Sequence, residues 1–174
     1  ESLSGTLNYT PVWNYKTVGY VRNIVLSEDM KYLASLDTAG RVYCWNARTN
    51  QLLMDLDAKE KPVDILFLED AQLLVVFANR IESYHVESGS LVWKYQSDSN
   101  YSYLSDEVVF ADHAVYLDIG NGELAKLSAK DGRVMDTYKV QDGIFTDFHR
   151  LTVSPDGKKL AFVDNTTSYG IDND

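Results

Sequence analysis

Short apolar runs recur along the whole chain and are separated by turns rich in Gly, Asn, Asp and Ser. Some runs are continuously apolar, as in residues 73–78 and 160–163. Apolar runs of strand length, enriched in β-branched and aromatic residues, predict β-strands, and no stretch of the chain shows a helical period. The pattern therefore predicts an all-β protein in which the central strands are buried on both faces.

The apolar runs repeat with a period of about 41 residues. Asp29, Asp70, Asp112 and Asp156 stand in turns just before them, at spacings of 41, 42 and 44 residues. Two further series follow the same period, Leu33, Leu74, Val115 and Leu160 in apolar runs and Trp13, Met54, Trp93 and Asp136 at the ends of turn-and-strand segments. Three series with one period indicate a true repeat. The chain is predicted to be a single segment, 1–174, of four units at approximately 11–50, 51–90, 91–133 and 134–174.

Each unit is predicted to contain four strands. These are residues 11–16, 20–26, 31–37 and 41–46; 51–56, 62–68, 72–78 and 80–86; 91–96, 107–111, 114–119 and 123–128; and 134–140, 150–153, 159–164 and 168–171. Asn121-Gly122 and Asp131-Gly132 predict type I′ hairpin turns, which need positive φ at both central residues.

Four strands per unit and a period near 40 residues favour a β-propeller, in which each repeat forms one radial blade. A β-sandwich also fits the strand count and turn spacing but does not require regular repetition. Because propellers have about four to eight blades and each blade needs neighbours on both faces, we expect these four blades to belong to a larger ring of six to eight.

Two segments resemble the PQQ-type (quinoprotein-like) propeller repeat. They are residues 40–50, Gly-Arg-Val-Tyr-Cys-Trp-Asn-Ala-Arg-Thr-Asn, and residues 122–132, Gly-Glu-Leu-Ala-Lys-Leu-Ser-Ala-Lys-Asp-Gly. Residues 26–34 and 153–161 are also similar to WD40 repeats. The resemblance covers residues 11–171 and implies a β-propeller. Propellers of these types serve as enzymes, scaffolds and assembly factors, so the fold alone does not give the function.

The PQQ-type repeat carries a Trp shortly after its turn. In this sequence Trp13 and Trp93 match that Trp, whereas Met54 and Asp136 replace it in the other units. A Trp at the end of such a turn can lie flat between adjacent sheets, where it buries a large area and keeps a hydrogen-bonding N–H. We expect Trp13 and Trp93 to dock one blade on the next.

The charge of the chain argues against a nucleic-acid partner. The chain has 26 acidic and 16 basic residues, with a net charge of −10 at pH 7. Its Lys and Arg residues are scattered, which argues against a nucleic-acid partner.

No apolar run approaches the roughly 18 residues of a membrane-spanning helix, so we predict no span in this chain. The single Cys44 excludes a disulfide framework, and we expect it to be a small apolar filler.

The sequence has no recognisable active site. His85, His113 and His149 lie in different repeats and do not have the spacing of metal ligands. The resemblance would allow a fragment of a quinoprotein-like enzyme, which needs a quinone cofactor and usually Ca²⁺, but no matching ligand set can be aligned. We predict that the chain is not an enzyme and that it has no catalytic residues, cofactor or metal.

The leading hypothesis is a non-catalytic scaffold or sensor domain that binds protein partners within a larger chain. Tyr101, Tyr103 and Asp106 are predicted partner contacts, because they lie on the longest loop between strands. One alternative is an extracytoplasmic assembly factor similar to BamB or to the lumenal propeller of the ER membrane protein complex. A second alternative is the quinoprotein-like fragment. If the propeller is incomplete, its exposed terminal faces predict self-association.

Three Asn-x-Ser/Thr triplets begin at Asn8, Asn100 and Asn165. They are glycosylation acceptors if the protein is secretory and eukaryotic. They favour an extracytoplasmic location, whether periplasmic, secreted or lumenal, over a cytoplasmic one.

Overall fold

Four antiparallel sheets make up the part of the chain that the structure describes. The structure is a computed structural model, and it describes residues 13–96, 108–120, 122–139, 149–154, 157–163 and 168–172. In each sheet the strands follow one another in chain order, so every sheet is a meander of hairpins. This arrangement confirms the predicted all-β class and its blade-like units.

The sheets are numbered in chain order. The first contains β1 (Val21–Leu26), β2 (Tyr32–Asp37), β3 (Arg41–Asn46) and β4 (Leu52–Asp57). The second contains β5 (Asp64–Phe67), β6 (Gln72–Val76), β7 (Arg80–His85) and β8 (Ser90–Gln96). The third contains β9 (Val108–Ala111), β10 (Ala114–Gly120), β11 (Glu123–Ser128) and β12 (Val134–Lys139). The fourth contains β13 (His149–Val153), β14 (Lys159–Val163) and β15 (Ser168–Asp172).

The sheets divide the chain one strand later than the sequence units do. β4 pairs with β3 in the first sheet, although residues 51–56 belong to the second unit of the sequence. In the same way, β8 pairs with β7 in the second sheet and β12 pairs with β11 in the third. The reason is the short turn between β3 and β4, which can join only antiparallel neighbours. The predicted strand at 11–16 is wrong for its described part, since residues 13–16 form no strand.

Neighbouring sheets pack face to face through three apolar layers. Between the first and second sheets lie side chains such as Leu36, Val42, Leu73 and Val75. The next layers are represented by Leu74, Val76, Val115 and Leu117 between the second and third sheets, and by Tyr116, Leu124, Leu160 and Phe162 between the third and fourth. Every residue of β6 is buried, as expected for a strand covered on both sides.

Trp93 docks the second sheet on the third. Its side chain is buried, and its Nε1–H donates to the Ala129 carbonyl at 2.8 Å. A Cβ atom on Gly132 would lie only 2.5 Å from Cε3 of this ring, so the indole occupies the space that a side chain would need. The contact confirms the docking role predicted for Trp93. Met54, which replaces the Trp in the preceding repeat, is buried beside Gly89 in the equivalent place.

Cys44 lies in the layer between the first and second sheets. It is fully buried on β3, and burial raises the pKa of its thiol to about 12. The environment is the one expected of a small apolar filler.

Replacing Gly132 by Ala should destabilise the fold by about 2–4 kcal/mol, from strain at φ +69° and from the collision with Trp93. Gly89→Ala is the matched control. It has a similar φ of +64°, but its nearest side-chain atom, Cγ of Met54, is 3.8 Å away. Only the backbone strain of about 1–2 kcal/mol is expected there. Urea unfolding measures both changes, and equal losses would contradict the docking contact.

Candidate functional site

The turns between the first two strands of successive blades lie on one face of the molecule and border a groove. The groove has a volume of about 850 Å³ and spans the first three blades. Its apolar side chains are Val25, Leu26, Leu66, Phe67, Leu68 and Phe110. Its carboxylates are Glu28, Asp29, Glu69, Asp70 and Asp112. We call this the turn-face groove.

The first turn is built around Ser27. The Ser27 Oγ accepts hydrogen bonds from the backbone N–H groups of Lys31 and Tyr32, at 3.1 and 2.9 Å, and donates to Asp29 Oδ1 at 2.8 Å. The hydrogen bond from the Lys31 side chain, followed by that from Ser27, lowers the pKa of Asp29 to about 2. Asp29 is therefore ionised across the physiological pH range.

The second and third turns are tight two-residue hairpins. Asp70 and Ala71 have φ of 53° and 56°, and Asp112 and His113 have φ of 47° and 60°. Positive φ at both central residues is the mark of a type I′ turn. Asp70 and Asp112 both line the groove, so the second and third blades each contribute a turn carboxylate to it.

Of the two type I′ turns predicted from the sequence, the one at Asp131-Gly132 is not formed. Between β11 and β12, Gly132 has positive φ but Asp131 does not, so the Asp131-Gly132 prediction is wrong. The connection there is longer than two residues and needs a single left-handed residue. Asn121 of the other predicted turn lies outside the described residues, while Gly122 has φ of 71°.

His113 ties the third blade to the second. Its Nδ1 pairs with Glu69 Oε2 across the groove. The hydrogen bond to Glu69 raises the pKa of His113 above its ordinary value, and the charges of Glu69, Asp112 and Asp70 act in the same direction. A protonated His113 would neutralise one of the five carboxylates.

The groove is strongly negatively charged. Among the described residues that line it, none is Lys or Arg. Lys31 pairs with Asp29 at 2.8 Å, but it lies outside the lining and is itself exposed. An apolar floor with carboxylates on its rim attracts a ligand that carries both positive charge and apolar side chains.

Across the described ranges, no three His, Cys, Asp or Glu side chains come together in a way that could hold a metal ion. Within the same ranges, the structure contains no helix long and apolar enough to cross a bilayer.

The contact and glycosylation residues proposed from sequence fall outside the part of the chain that the structure describes. They are Tyr101, Tyr103 and Asp106, together with Asn8, Asn100 and Asn165. These assignments stay predictions. The turn-face groove was not predicted from the sequence. The regular spacing of Asp29, Asp70 and Asp112 could have indicated it, because equivalent turns of a propeller lie on the same face.

Comparison with known proteins now identifies the repeat. The family described as outer membrane protein assembly factor BamB matches residues 10–155. The chain belongs to this family. The match confirms the PQQ-type resemblance, while a search of curated proteins finds no match.

Three solved structures similar to this BamB-family chain differ in how much of their own length the chain covers. BamB from Moraxella catarrhalis has a TM-score of 0.73 and 15% identity, over 92% of this chain and 52% of that one. The computationally designed proteins Ika4 and Ika8 give 0.68 and 0.65, each at 14% identity. The alignments cover 90% of this chain and 93% of Ika4, and 87% of this chain and 45% of Ika8. The chain thus spans about half the length of BamB and Ika8, and it shares the β-propeller fold.

The His113–Glu69 pair gives a pH prediction. We expect the pKa of His113, measured by NMR titration, to lie above 6.5 in the folded protein. Because the folded pKa is raised, the pair stabilises the fold below pH about 6.5 and its contribution is lost as the pH rises through the raised value. Glu69→Gln should lower the pKa of His113, whereas Glu28→Gln, in the same groove but not paired with His113, should change it much less. A pKa unaffected by Glu69→Gln would contradict the pairing.

Proposed function

We propose that this BamB-family propeller is a non-catalytic scaffold that binds a protein partner in the turn-face groove. The segment it holds is cationic and carries apolar side chains. The observation that supports this most directly is that the described lining of one groove combines five carboxylates with an apolar floor and includes no Lys or Arg.

The shape of the groove favours a chain segment over a compact small molecule. It extends across turns from three blades, so an extended peptide could contact each blade in succession. Its apolar floor, which includes Phe67 and Phe110, offers places for the aliphatic side chains of such a segment. The carboxylates of Asp70 and Asp112, in the neighbouring turns, would pair with Lys or Arg side chains of the bound segment.

A finer proposal concerns biological setting. The family is described by outer membrane protein assembly, and we propose that this chain likewise assists assembly in an extracytoplasmic compartment. Segments that need help in assembly often expose apolar residues, and a groove with an apolar floor suits them. The predicted loop contacts Tyr101, Tyr103 and Asp106 would form a second contact region, which a Tyr101→Ala/Tyr103→Ala variant tests by loss of partner binding.

The proposed absence of catalysis has a direct test. Adding pyrroloquinoline quinone with Ca²⁺ should leave the Tm of the protein unchanged, since a ligand that binds the native state must stabilise it. A concentration-dependent rise in Tm would overturn the non-catalytic assignment.

Fluorescence anisotropy with labelled peptides tests the groove. A peptide of alternating Lys and Leu should bind, and one of alternating Glu and Leu should bind at least about ten-fold more weakly, because carboxylates line the rim. The variant Glu28→Gln/Asp70→Asn should weaken binding of the cationic peptide by about two- to thirty-fold, since two exposed charge pairs contribute roughly 0.2–1 kcal/mol each.

Two controls separate the groove from the general acidity of the protein. Asp136→Asn removes an exposed carboxylate of β12 that does not line the groove, and it should leave binding unchanged. A peptide of alternating Lys and Ser keeps the charge but lacks the apolar side chains, and it should bind more weakly than the Lys and Leu peptide. Equal loss in both protein variants, or equal binding of all peptides, would contradict the proposal.

A further inference from the structure

The residue that follows the turn carboxylate differs in chemistry from blade to blade. Met30, Ala71 and His113 occupy this place in the first, second and third blades, with φ of 57°, 56° and 60°. His113 is the member of this series that carries a titratable side chain. Among the described residues that line the groove, it is also the only one whose ordinary pKa falls between 5 and 8. The third turn therefore gives the groove a group whose charge changes near neutral pH.

The imidazole of His113 lies against the turn of the second blade. Its Nδ1 pairs with Glu69 Oε2, and both side chains line the groove. Main-chain hydrogen bonds hold the two turns: the Gln72 N–H donates to the Glu69 carbonyl at 3.1 Å, and the Ala129 N–H donates to the His113 carbonyl at 3.0 Å. The side chain of Glu69 is 31% exposed and that of His113 is 79% exposed, so a ligand in the groove can reach both. Protonated His113 thus competes with a cationic ligand for Glu69.

The surroundings of His113 favour its protonated form. The charged groups of the elements packed around it are Glu69 and Asp70 from the second blade, Asp112 from its own turn, Lys126 and Lys130 from β11 and the connection that follows it, and Lys158 from the fourth blade, whose Gly157 lies against Asp112. The hydrogen bond to Glu69, and then the charges of the three carboxylates, raise the pKa of His113. The imidazolium therefore predominates at pH about 6.5, and its charge is lost as the pH rises through the raised pKa.

We propose that His113 makes binding in the turn-face groove depend on pH, so that the groove holds its cationic segment more tightly when His113 is neutral than when it is protonated. This inference rests on the groove-binding function proposed above and adds the regulation of that site. When protonated, His113 supplies the one positive charge of the described lining and occupies Glu69. When His113 is neutral, Glu69 joins Asp70 and Asp112 as a partner for Lys or Arg side chains of the ligand.

The coupling between protonation and binding is reciprocal. Because the proton and the cationic segment oppose each other, the bound segment must lower the pKa of His113 to the same extent as protonation weakens binding. A segment held about three-fold more tightly by the neutral form lowers that pKa by about 0.5. Acidification would therefore release the segment, and a rise in pH would favour its capture.

Isothermal titration calorimetry with an N-acetylated peptide of alternating Lys and Leu tests the proposal. At about 50 mM salt, screening is weak enough for a single charge to be measured, and pH values of about 6.0 and 8.5 bracket the titration of His113. Over this range the Lys side chains stay charged, ordinary carboxylates stay ionised, and the acetylated peptide has no free α-amine to titrate. The wild-type chain should bind about two- to five-fold more tightly at the higher pH, as expected for one exposed charge pair. In NMR titrations, saturating peptide should lower the pKa of His113.

Two substitutions fix the charge at residue 113. His113→Asn is neutral at both pH values and suits a left-handed turn position, so it should bind at both with the affinity that the wild type shows at the higher pH. His113→Lys is charged at both and should bind with the weaker affinity of the wild type at the lower pH. His85→Gln is the control, because His85 lies on β7 outside the groove lining, and the pH dependence should persist. Circular dichroism confirms that the three variants fold.

The outcomes separate this inference from the function on which it rests. A peptide that binds at neither pH would overturn the groove-binding function and the pH dependence with it. A peptide that binds equally well at both pH values would overturn the pH dependence alone. So would a His113→Asn variant that keeps the pH dependence of the wild type, since another group would then be responsible.

Discussion

The packing of one four-stranded sheet on the next is the constraint on which the rest of this structure depends. A sheet such as the second, with Leu73 and Val75 on one face and Leu74 and Val76 on the other, has no side that suits water. Such a sheet is stable only between two neighbours. The apolar layers therefore fix the order of the blades, and Trp93 fixes how closely two of them approach.

The acidic groove is a consequence of that stacking. Sheets that pack in chain order bring equivalent turns to one face, so a residue repeated every 41 positions becomes a row in space. Asp29, Asp70 and Asp112 are such a row. The pair between Glu69 and His113 shows that the turns are close enough to interact across a blade boundary. Any ligand of the groove would contact several blades, and its binding would be sensitive to their relative positions.

The sequence patterns predicted most strands to within one or two residues, because each strand is an apolar run closed by a turn. They failed where tertiary context decides. Residues 13–16 resemble the outer strands by composition, but a strand needs a partner, and in the structure Trp13 packs on the ring of Trp45 instead. The type I′ turns at Ala71 and His113 lack the glycine that marks such turns, and the adjoining strands impose their positive φ. The groove depends on relations between blades, which no local pattern contains.

The buried Cys44 gives the first blade boundary a chemical reporter. With its thiol enclosed and its pKa raised to about 12, it cannot react with a disulfide reagent while the first two sheets stay together. It is also the single cysteine of the chain, so any labelling measures one event. The rate of its modification would give the rate and free energy at which these two blades separate, without the need to unfold the remainder of the protein.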